Sequence, residues 1–248
     1  SNNFELSLNR NANIPGAGVL FTSEVIKLVF RDNGPGGDRL PNESGGIEYS
    51  FTSIMPEYIH NYSIKKNISD LRVMTYNVEF DGFFDPDNIP QFTRILQAAE
   101  PDIIIFEEIY NRTSQRTADL VETMLPSNIG EQWFNAKQGS DIIVVSKFPI
   151  TASSPIDGNG AFLLDLTSKY DTELFLVGAH PPCCNNDNDR QLEIDAIMAF
   201  IRNSKNGLGA IPISEGTLIL IAGDMNLVGF ARQLNTFLTG DILNEAQF

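Results

Sequence analysis

The segment LILIAGDMN, residues 218–226, joins a run of apolar residues to a polar end. A short apolar run of this kind, closed by a glycine, is typical of a buried β-strand. After Gly223 the chain continues with Asp224, one spacer and Asn226, and residues two positions apart on a strand point to the same side. The segment therefore predicts a buried strand that ends by presenting a carboxylate and a carboxamide side by side.

Three further apolar segments end in polar residues in the same way. They are VMTYNVE, IIIFEEI and FLVGAH, and the polar residues at their ends are Asn77 and Glu79, Glu107 and Glu108, and His180. Functional residues of α/β folds collect at the carboxyl ends of strands, because the sheet holds them rigidly while loops shape the pocket. We therefore expect these side chains to surround one site.

A pattern of alternating strands and helices runs from Leu71 to the end of the chain. The predicted strands are residues 71–78, 102–109, 141–150, 161–169, 173–180 and 217–226. The predicted helices are residues 89–100, 116–125, 187–205 and 231–240, the last of which ends at Gly240. Alternation of this kind indicates an α/β (α+β) domain.

Two of the predicted helices have a clear apolar face. The residues at helical spacing are Phe92, Ile95, Leu96 and Ala99 in the first helix, and Ile194, Ile197 and Ile201 in the long one. We expect Asp187 or Asp189 to cap the long helix, and Arg190 and Gln191 to be solvated or to take part in the cap.

The first 60 residues have a different character. FELSLNR, EVIKLVF and IEYSFT are short strand candidates, and stretches rich in glycine, proline and asparagine separate them. We interpret residues 1–60 as a β-rich segment that forms the end of a β-sandwich. Residues 61–70 are predicted to be a linker, and residues 71–248 an α/β domain.

The charge balance limits the partners of the protein. The chain has 248 residues, a formal net charge of −15 and a pI of about 4.4. The acidic residues are spread along the chain, so an acidic surface is expected, and such a surface does not attract nucleic acid by itself. It does favour bound divalent cations, because a phosphate approaches clustered carboxylates only with a cation between them.

Composition also bears on location and redox state. No stretch approaches the roughly 20 apolar residues of a membrane span, so no transmembrane segment is predicted. Few lysines and many Asn, Asp, Ser and Thr residues favour an extracellular or periplasmic protein. The two cysteines, Cys183 and Cys184, are adjacent and can be free thiols, a strained vicinal bridge or ligands of a soft metal.

The polar residues at the strand ends are suited to metal-assisted phosphate chemistry. Crowded carboxylates repel one another unless a cation or a proton separates them. Oxygen ligands with one histidine nearby indicate Mg²⁺, Mn²⁺ or Ca²⁺ rather than zinc. Asp224 can orient or deprotonate a water, Asn226 can donate to a phosphate oxygen, and His180 can stabilise or protonate the developing charge.

Each residue also has a plainer interpretation when it is taken alone. Asn77 can be a turn former, His180 can be structural, and one of Glu107 and Glu108 is expected to point to solvent. His60, in the predicted linker, is expected to have no role. The joint occurrence of these residues at the ends of four strands favours the functional interpretation.

The ordered motifs resemble those of a known group of enzymes. RVMTYNVE, PDIIIFEEI, DIIVVSKFPI, LVGAHPP and LILIAGDMN are similar, in this order, to motifs of the endonuclease/exonuclease/phosphatase superfamily. That superfamily includes pancreatic-type DNases, apurinic endonucleases, sphingomyelinases and inositol-polyphosphate phosphatases. The resemblance implies a four-layer α/β/β/α sandwich of two mostly antiparallel sheets and divalent-metal-dependent phosphoesterase activity.

The resemblance also implies roles for individual residues. Asn77 corresponds to an asparagine that contacts the phosphate and the metal-ligand shell. Glu108 corresponds to the main metal ligand, Glu107 stands where many members have glutamine, and Glu79 stands where some have a second acidic ligand. His180 corresponds to the first catalytic histidine, and Asp224 and Asn226 to the pair that positions the nucleophile and holds the phosphate.

One part of the family pattern is not found. Members end in an Asp-His motif that supplies another metal-site aspartate and a second catalytic histidine. The 22 residues after Asn226 contain no histidine. We therefore expect the α/β domain to be C-terminally incomplete here, and this polypeptide to be weakly active or inactive.

The leading hypothesis is a Mg²⁺-dependent phosphodiesterase. Nucleic acid, phospholipid headgroups and small phosphodiesters all fit as substrates, although the 17 Lys and Arg residues form no cluster of the kind that DNA-binding proteins show. Phe83 and Phe84 either reach toward a lipid or anchor their loop to the core. The alternatives are a phosphomonoesterase and a non-catalytic binding module that keeps the fold.

Overall fold

The computed structural model describes residues 12–16, 18–19, 21–31, 39–40, 46–50, 64–227 and 231–248. The chain divides into two units, Ser1–Tyr62 and Ser63–Phe248. The predicted strand FELSLNR and His60 lie outside the described residues.

The described part of the first unit consists of short strands and turns. The strands are β1 (Asn13–Ile14), β2 (Gly18–Val19), β3 (Val25–Leu28), β4 (Phe30–Arg31), β5 (Arg39–Leu40) and β6 (Ile47–Ser50). They form three antiparallel pairs, β1 with β2, β3 with β6, and β4 with β5. The assignment of this unit to the end of a β-sandwich stays a prediction.

The second unit contains two four-stranded sheets and helices of very different length. Its strands are β7 (Val73–Asn77), β8 (Ile103–Glu107), β9 (Phe134–Gln138), β10 (Ile142–Ser146), β11 (Ile150–Ile156), β12 (Asn159–Asp165), β13 (Glu173–Ala179) and β14 (Leu218–Gly223). Its helices are α1 (Ile89–Ala99), α2 (Ser114–Met124), α3 (Thr167–Tyr170), α4 (Asp187–Lys205) and α5 (Ala231–Thr239), with a 3₁₀ turn at Gly82–Phe84.

The two sheets have the strand orders β7-β8-β10-β9 and β11-β12-β13-β14. Only β7 with β8 and β13 with β14 are parallel pairs, so both sheets are mostly antiparallel, as predicted. The parallel pairs place the carboxyl ends of their two strands at the same edge of each sheet. These four strands are the ones that carry the predicted site residues.

Three hydrophobic clusters separate four layers. The first cluster joins α1 and α2 to one face of the first sheet, through residues such as Ile104 and Phe106. The second lies between the sheets, where Ile103 and Ile105 of the same strand meet Phe162. The third joins the second sheet to α4. The predicted four-layer α/β/β/α sandwich is confirmed.

Helix α4 has the predicted bounds and buries Ile194, Ile197 and Ile201, but the prediction for its first turn is wrong. Its N-cap is Asn186, which makes no side-chain capping bond. Arg190 and Gln191 are buried rather than solvated.

Other differences are small. Ile95 of α1 is 40% exposed and does not belong to the buried face. The predicted strand 141–150 covers β10 and only the first residue of β11, because the chain turns where the Ser146 hydroxyl accepts the Phe148 N–H, and the rest of β11 was not predicted. The predicted strand 161–169 ends at Asp165 and continues into α3, and β9 was not predicted.

Helix α5 ends before Gly240, whose φ of 77° gives the expected left-handed terminus. None of the helices in the described part of the chain is both long enough and apolar enough to cross a membrane. The phenyl ring of Phe83 is fully buried and packs edge-on against Phe84 and Phe92, so the anchoring interpretation of this pair is the correct one.

Candidate functional site

Three predicted residues meet where β7, β8 and β14 end. Asn77 is the last residue of β7, Glu108 follows β8, and Asp224 follows β14. The Asn77 side-chain Nδ2 donates to Glu108 Oε1 at 2.8 Å and to Asp224 Oδ2 at 3.2 Å. Both sheets therefore contribute carboxylates to one centre, and a neutral amide lies between them.

The Glu108 carboxylate is fixed at both oxygens. Its Oε2 accepts the backbone N–H of Phe80 at 3.0 Å, while Oε1 is held by Asn77. Glu108 has a φ of 65°, a left-handed conformation that bends the chain as it leaves the strand. Its backbone N–H donates to Asp141 Oδ2 at 3.2 Å, so the bend is tied to the next strand of the sheet.

His180 follows β13 and is oriented by two contacts. Its Nδ1 lies 2.8 Å from Asp141 Oδ2, and its backbone N–H donates to Asn159 Oδ1 at 2.8 Å. Because a carboxylate only accepts, Nδ1 carries the proton, and Nε2 faces Glu108 Oε1 at 3.9 Å. The hydrogen bond that Nδ1 donates to Asp141 raises the pKa of His180.

Asp141 was not among the predicted site residues. Burial would raise its pKa, but the hydrogen bonds from His180 and from the Glu108 N–H outweigh burial and lower it. Asp141 stands before its strand rather than after it. Since β10 is antiparallel to β8, the start of β10 lies beside the end of β8.

Asp224 and Asn226 are held by a backbone arrangement that requires Gly223. Gly223 has a φ of 151°, and a Cβ there would overlap the backbone of Ala179 in the neighbouring strand. The Asn226 N–H donates to Asp224 Oδ1 at 3.2 Å, and its Nδ2 donates to the Pro181 carbonyl at 3.0 Å. The predicted contact of Asn226 with phosphate stays a prediction.

Glu79 joins this network through its backbone rather than its carboxylate. Its N–H donates to Asn77 Oδ1 at 3.0 Å, and the residue is exposed. Its predicted role as a second metal ligand stays a prediction.

Glu107 is buried directly behind the centre. Its Oε1 accepts the Thr75 hydroxyl at 2.6 Å, and its Oε2 is buried without a partner among the described residues. Burial raises the pKa of Glu107 to about 7, and the negative charge of Asp224 adds to the rise. Of the two adjacent glutamates, Glu108 is the one that reaches the pocket.

An open pocket of about 380 Å³ lies over this network. Its lining includes the side chains of Glu108, Asp141, His180, Glu193, Asp224 and Asn226. No lysine or arginine of the described residues lines it. Carboxylates therefore predominate among the charged groups of the pocket, and His180 is the one basic side chain that lines it among the described residues.

A side chain of helix α4 holds the loop that follows His180. The buried Arg190 guanidinium donates to the carbonyl oxygens of Pro182 and Cys184 and to Asp187 Oδ1. This explains why neither Arg190 nor Asp187 plays the predicted role at the helix end. Cys183 and Cys184 are exposed free thiols.

The donor set of the pocket fits a hard divalent cation. Among the described residues, no three His, Cys, Asp or Glu side chains are grouped closely enough to hold a metal ion by themselves. Mg²⁺, however, is usually bound by one or two carboxylates with water and substrate oxygens. Glu108 and Asp224 accept from the same Asn77 nitrogen and both line the pocket, so the pocket offers the one or two carboxylates that such a cation uses.

Known structures with a similar fold come from several organisms. The human Nocturnin catalytic domain with bound sulfate has 14% identity and a TM-score of 0.52, over 69% of this chain and 70% of that one. A humanized D. rerio TDP2 has 16% identity and a TM-score of 0.47, over 67% and 66%. A β-hairpin deletion mutant of Staphylococcus aureus beta toxin has 16% identity and a TM-score of 0.47, over 68% and 72%.

These identities are low, and the likeness to Nocturnin shows the fold alone. The chain spans about two thirds of the TDP2 chain that it matches. No curated protein has a significantly similar sequence. A model of the endonuclease/exonuclease/phosphatase family, in contrast, matches residues 74–246, which include every strand and helix from β8 to α5. The protein therefore belongs to the endonuclease/exonuclease/phosphatase family.

Proposed function

We propose that the protein hydrolyses phosphodiester bonds with a bound divalent cation, Mg²⁺ or alternatively Mn²⁺ or Ca²⁺. The observation that carries the proposal is the Asn77 amide that joins Glu108 and Asp224, beside the His180–Asp141 pair. Members of the family are hydrolytic phosphoesterases, which supports the same chemistry. Glu108 and Asn77 would hold the cation, Glu79 would contribute from the exposed loop, and the neighbouring Asp224 would act on the water.

Each residue has a task that its surroundings suit. The cation would neutralise negative charge on the phosphoryl oxygens. Asp224 orients the attacking water and takes its proton as the new P–O bond forms. His180 donates a proton from Nε2 to the leaving oxygen as the old P–O bond breaks, and Asp141 keeps the ring in place.

Neutral donors support this arrangement. Asn77 is an uncharged donor to both carboxylates, so it does not take the place of a cation as a lysine or arginine would. Asn226 keeps one amide hydrogen beyond its bond to Pro181, and this hydrogen can donate to a phosphate oxygen.

Hydrolysis of bis(p-nitrophenyl) phosphate by the complete gene product tests the proposal. We expect turnover that needs Mg²⁺ or Mn²⁺, disappears with EDTA, and falls at least ~10²-fold in Asp224→Ala. Asp119→Ala removes an exposed carboxylate on α2 and is the matched control. Turnover that survives EDTA or Asp224→Ala would refute the proposal.

A folded protein without diesterase activity would lead to the two alternative functions. A panel of phosphate monoesters then identifies a phosphomonoesterase. If monoesters also fail, titration calorimetry with Mg²⁺ and Mn²⁺ follows. Absence of metal binding would favour a non-catalytic binding module.

We further propose an extracellular or periplasmic location. It rests on the acidic, lysine-poor composition of the chain. Detection of the native protein only in the cytoplasmic fraction of its source cells would contradict it.

A further inference from the structure

An exposed pair of aromatic rings stands at the mouth of the pocket. Phe80 is 77% exposed, which makes it the most exposed aromatic side chain among the described residues. Its ring lies 5.9 Å from that of Tyr110, centroid to centroid, with 30° between the planes. Both residues line the pocket that contains Glu108 and His180.

The backbone that presents Phe80 is held in an unfavourable conformation. Glu79, Phe80 and Asp81 have φ values of 49°, 48° and 62°, so three consecutive residues with side chains are left-handed. This conformation costs free energy at each residue and persists only where the surroundings enforce it. Strain of this kind, three positions in a row, points to a function for the segment.

Hydrogen bonds to the site enforce the turn. The Phe80 N–H donates to Glu108 Oε2 at 3.0 Å, and the Asp81 N–H donates to the Glu108 carbonyl at 2.8 Å. The Asp81 carboxylate accepts Asn111 Nδ2 at 2.7 Å. The backbone that carries the phenyl ring is therefore fixed relative to the carboxylate that would hold the cation.

The exposure of Phe80 is not explained by a lack of core nearby. Three residues further on, Phe83 is fully buried in the first hydrophobic cluster, and Phe84 packs against the same cluster. The same segment thus buries two aromatic rings and turns a third one to solvent. Phe80 therefore does not gain the free energy of apolar burial that stabilises its neighbours.

Negative charge surrounds the aromatic pair. The pocket that the two rings line also contains the Glu108 and Asp141 carboxylates, and the Asp81 carboxylate accepts the backbone N–H of Asn111, the residue after Tyr110, at 3.2 Å. Lys137 lies near the aromatic pair. Its ammonium group donates to the backbone carbonyl oxygens of Ile109, Tyr110 and Arg112 at 2.7, 2.9 and 3.1 Å. Aromatic faces are themselves negative, so rings and carboxylates together favour a cationic group.

We propose that Phe80 and Tyr110 form the specificity surface for an organic cation, such as a quaternary ammonium group, carried by one ester arm of the phosphodiester substrate. This inference rests on the proposed function and names its substrate class. A small diester of this kind places its phosphate at Glu108 and His180 and its cationic arm against the rings.

Charge also separates this substrate from a nucleic acid. A polynucleotide would bring further phosphates toward a protein with a net charge of −15 and a pocket without lysine or arginine. A diester with a cationic arm adds one phosphate and one compensating positive charge.

The test compares substrates that share one leaving group. p-Nitrophenylphosphorylcholine has a quaternary ammonium arm, and p-nitrophenyl 3,3-dimethylbutyl phosphate has the same shape without the charge. The p-nitrophenyl ester of thymidine 5′-phosphate has a nucleoside arm. We expect kcat/KM of the complete gene product to be about tenfold higher for the choline ester than for its uncharged isostere.

Variants assign the preference to the rings. Phe80→Leu and Tyr110→Leu should remove most of the preference, while hydrolysis of the isostere changes less than about threefold. Phe80→Tyr keeps a ring and should keep the preference. Leu238→Ala removes an apolar side chain that is 74% exposed on α5 and is the control.

The outcomes are distinct from those of the proposed function. If the wild-type protein hydrolyses none of the diesters, the proposed function is refuted. Hydrolysis without preference for the choline ester, or a preference that persists in Phe80→Leu, would refute this inference alone. A preference for the thymidine ester would contradict the inference and indicate that the two rings bind a nucleobase instead of a cation.

A binding measurement checks the inference without turnover. Choline should bind more tightly than 3,3-dimethylbutan-1-ol in titration calorimetry, and Phe80→Leu should abolish the difference. Equal binding of the two compounds would also contradict the inference.

Discussion

At the amino end of β8, the Asp102 carboxylate lies against two lysines; at the carboxyl end of the same strand, Glu107 and Glu108 lie against neutral donors. Asp102 pairs with the ammonium groups of Lys66 and Lys147, the latter at 3.5 Å. Its Oδ2 also accepts the Arg72 N–H at 3.0 Å. Burial would raise the pKa of Asp102, but these partners outweigh burial and lower it.

Among the described residues, no lysine or arginine pairs with the two glutamates at the opposite end of the strand, where the basic neighbour is His180, with Nε2 3.9 Å from Glu108 Oε1. The donors there are a hydroxyl, a carboxamide and backbone N–H groups, and burial raises the pKa of Glu107 to about 7. A cavity of about 650 Å³ lies at the lysine end, larger than the one over Glu108. Carboxylates without a lysine or arginine partner, rather than cavity size, therefore distinguish the end of the sandwich that carries the proposed site, which we call the functional end.

The largest expected effect comes from neutralising the functional end. Glu108→Gln keeps the shape of the side chain and can still accept from Asn77, but its amide nitrogen cannot accept the Phe80 N–H, and the charge that would hold the cation is removed. We expect turnover to fall ~10³-fold and Mg²⁺ binding by calorimetry to be lost. The free energy of unfolding in EDTA should change by less than about 1 kcal/mol, because relief of the repulsion with Asp224 offsets the lost bond from the Phe80 N–H.

The matched control is Glu173→Gln, which changes a glutamate at the opposite end of β13. It should leave turnover and metal binding unaltered. If Glu108→Gln retained activity and lost stability instead, the two ends of the sandwich would not differ in the way described here.

At the lysine end we expect the reverse outcome. Asp102→Asn leaves Lys66 and Lys147 without their carboxylate and should lower the free energy of unfolding by about 3 kcal/mol. Turnover per folded molecule should stay the same. Urea unfolding and an assay on the same samples measure both quantities, with Asp70→Asn, an exposed aspartate at this end, as control. Lost turnover in a stable Asp102→Asn protein would break the comparison.

Asp141 sharpens the comparison, because it is an acidic residue of the functional end that does have a partner. Asp141→Asn should lower kcat about 10²-fold, since the carboxamide no longer fixes the proton of His180 on Nδ1. The Mg²⁺ affinity should change little. Ser140→Ala, which removes only the 3.1 Å bond to Asp141 Oδ1, is the control. An equal loss of Mg²⁺ affinity and kcat would argue for a metal-binding role instead.

The smallest effect concerns Glu193 at the edge of the pocket. Burial raises its pKa to about 7, although Asn159 donates to its Oε2 at 2.9 Å. A folded pKa above the unfolded one means that stability is greatest below the unfolded value of about 4.5 and declines as pH rises through about 7.

Glu193→Gln removes this titration. The melting temperature of the variant should rise relative to wild type between pH 5 and pH 8, by a few degrees at most. Melting curves at several pH values check this. A difference that stays constant with pH would show that Glu193 does not titrate in this range.

Much of the sandwich could be predicted from sequence, because its strands are apolar runs and its site residues stand where those runs end. Asn77, Glu108, His180 and Asp224 come together for that reason. Asp141 escaped prediction because it precedes its strand, and only antiparallel pairing with β8 brings it to the site. The burial of Arg190 was not predicted, because its acceptors are backbone carbonyl groups of a loop, which every residue has and which the sequence therefore does not indicate.

The aromatic residues show the same limit. The adjacent Phe83 and Phe84 attract notice, but they are the buried pair. Phe80 is exposed because three residues without a glycine among them adopt left-handed conformations, and no local sequence signal announces this. Backbone strain enforced by contacts distant in sequence becomes visible only in the folded chain.

The close approach of β14 to Ala179 has a consequence for how variation in this protein is interpreted. In a library of all single substitutions, we expect as few active variants at position 223 as at position 224, although glycine offers no chemical group to a substrate. Intolerance to substitution, taken alone, would therefore wrongly indicate that Gly223 takes part in the reaction. Sorting survivors by solubility separates the two positions: Gly223 variants should vanish from the soluble fraction, whereas Asp224 variants should remain in it and fail only when assayed.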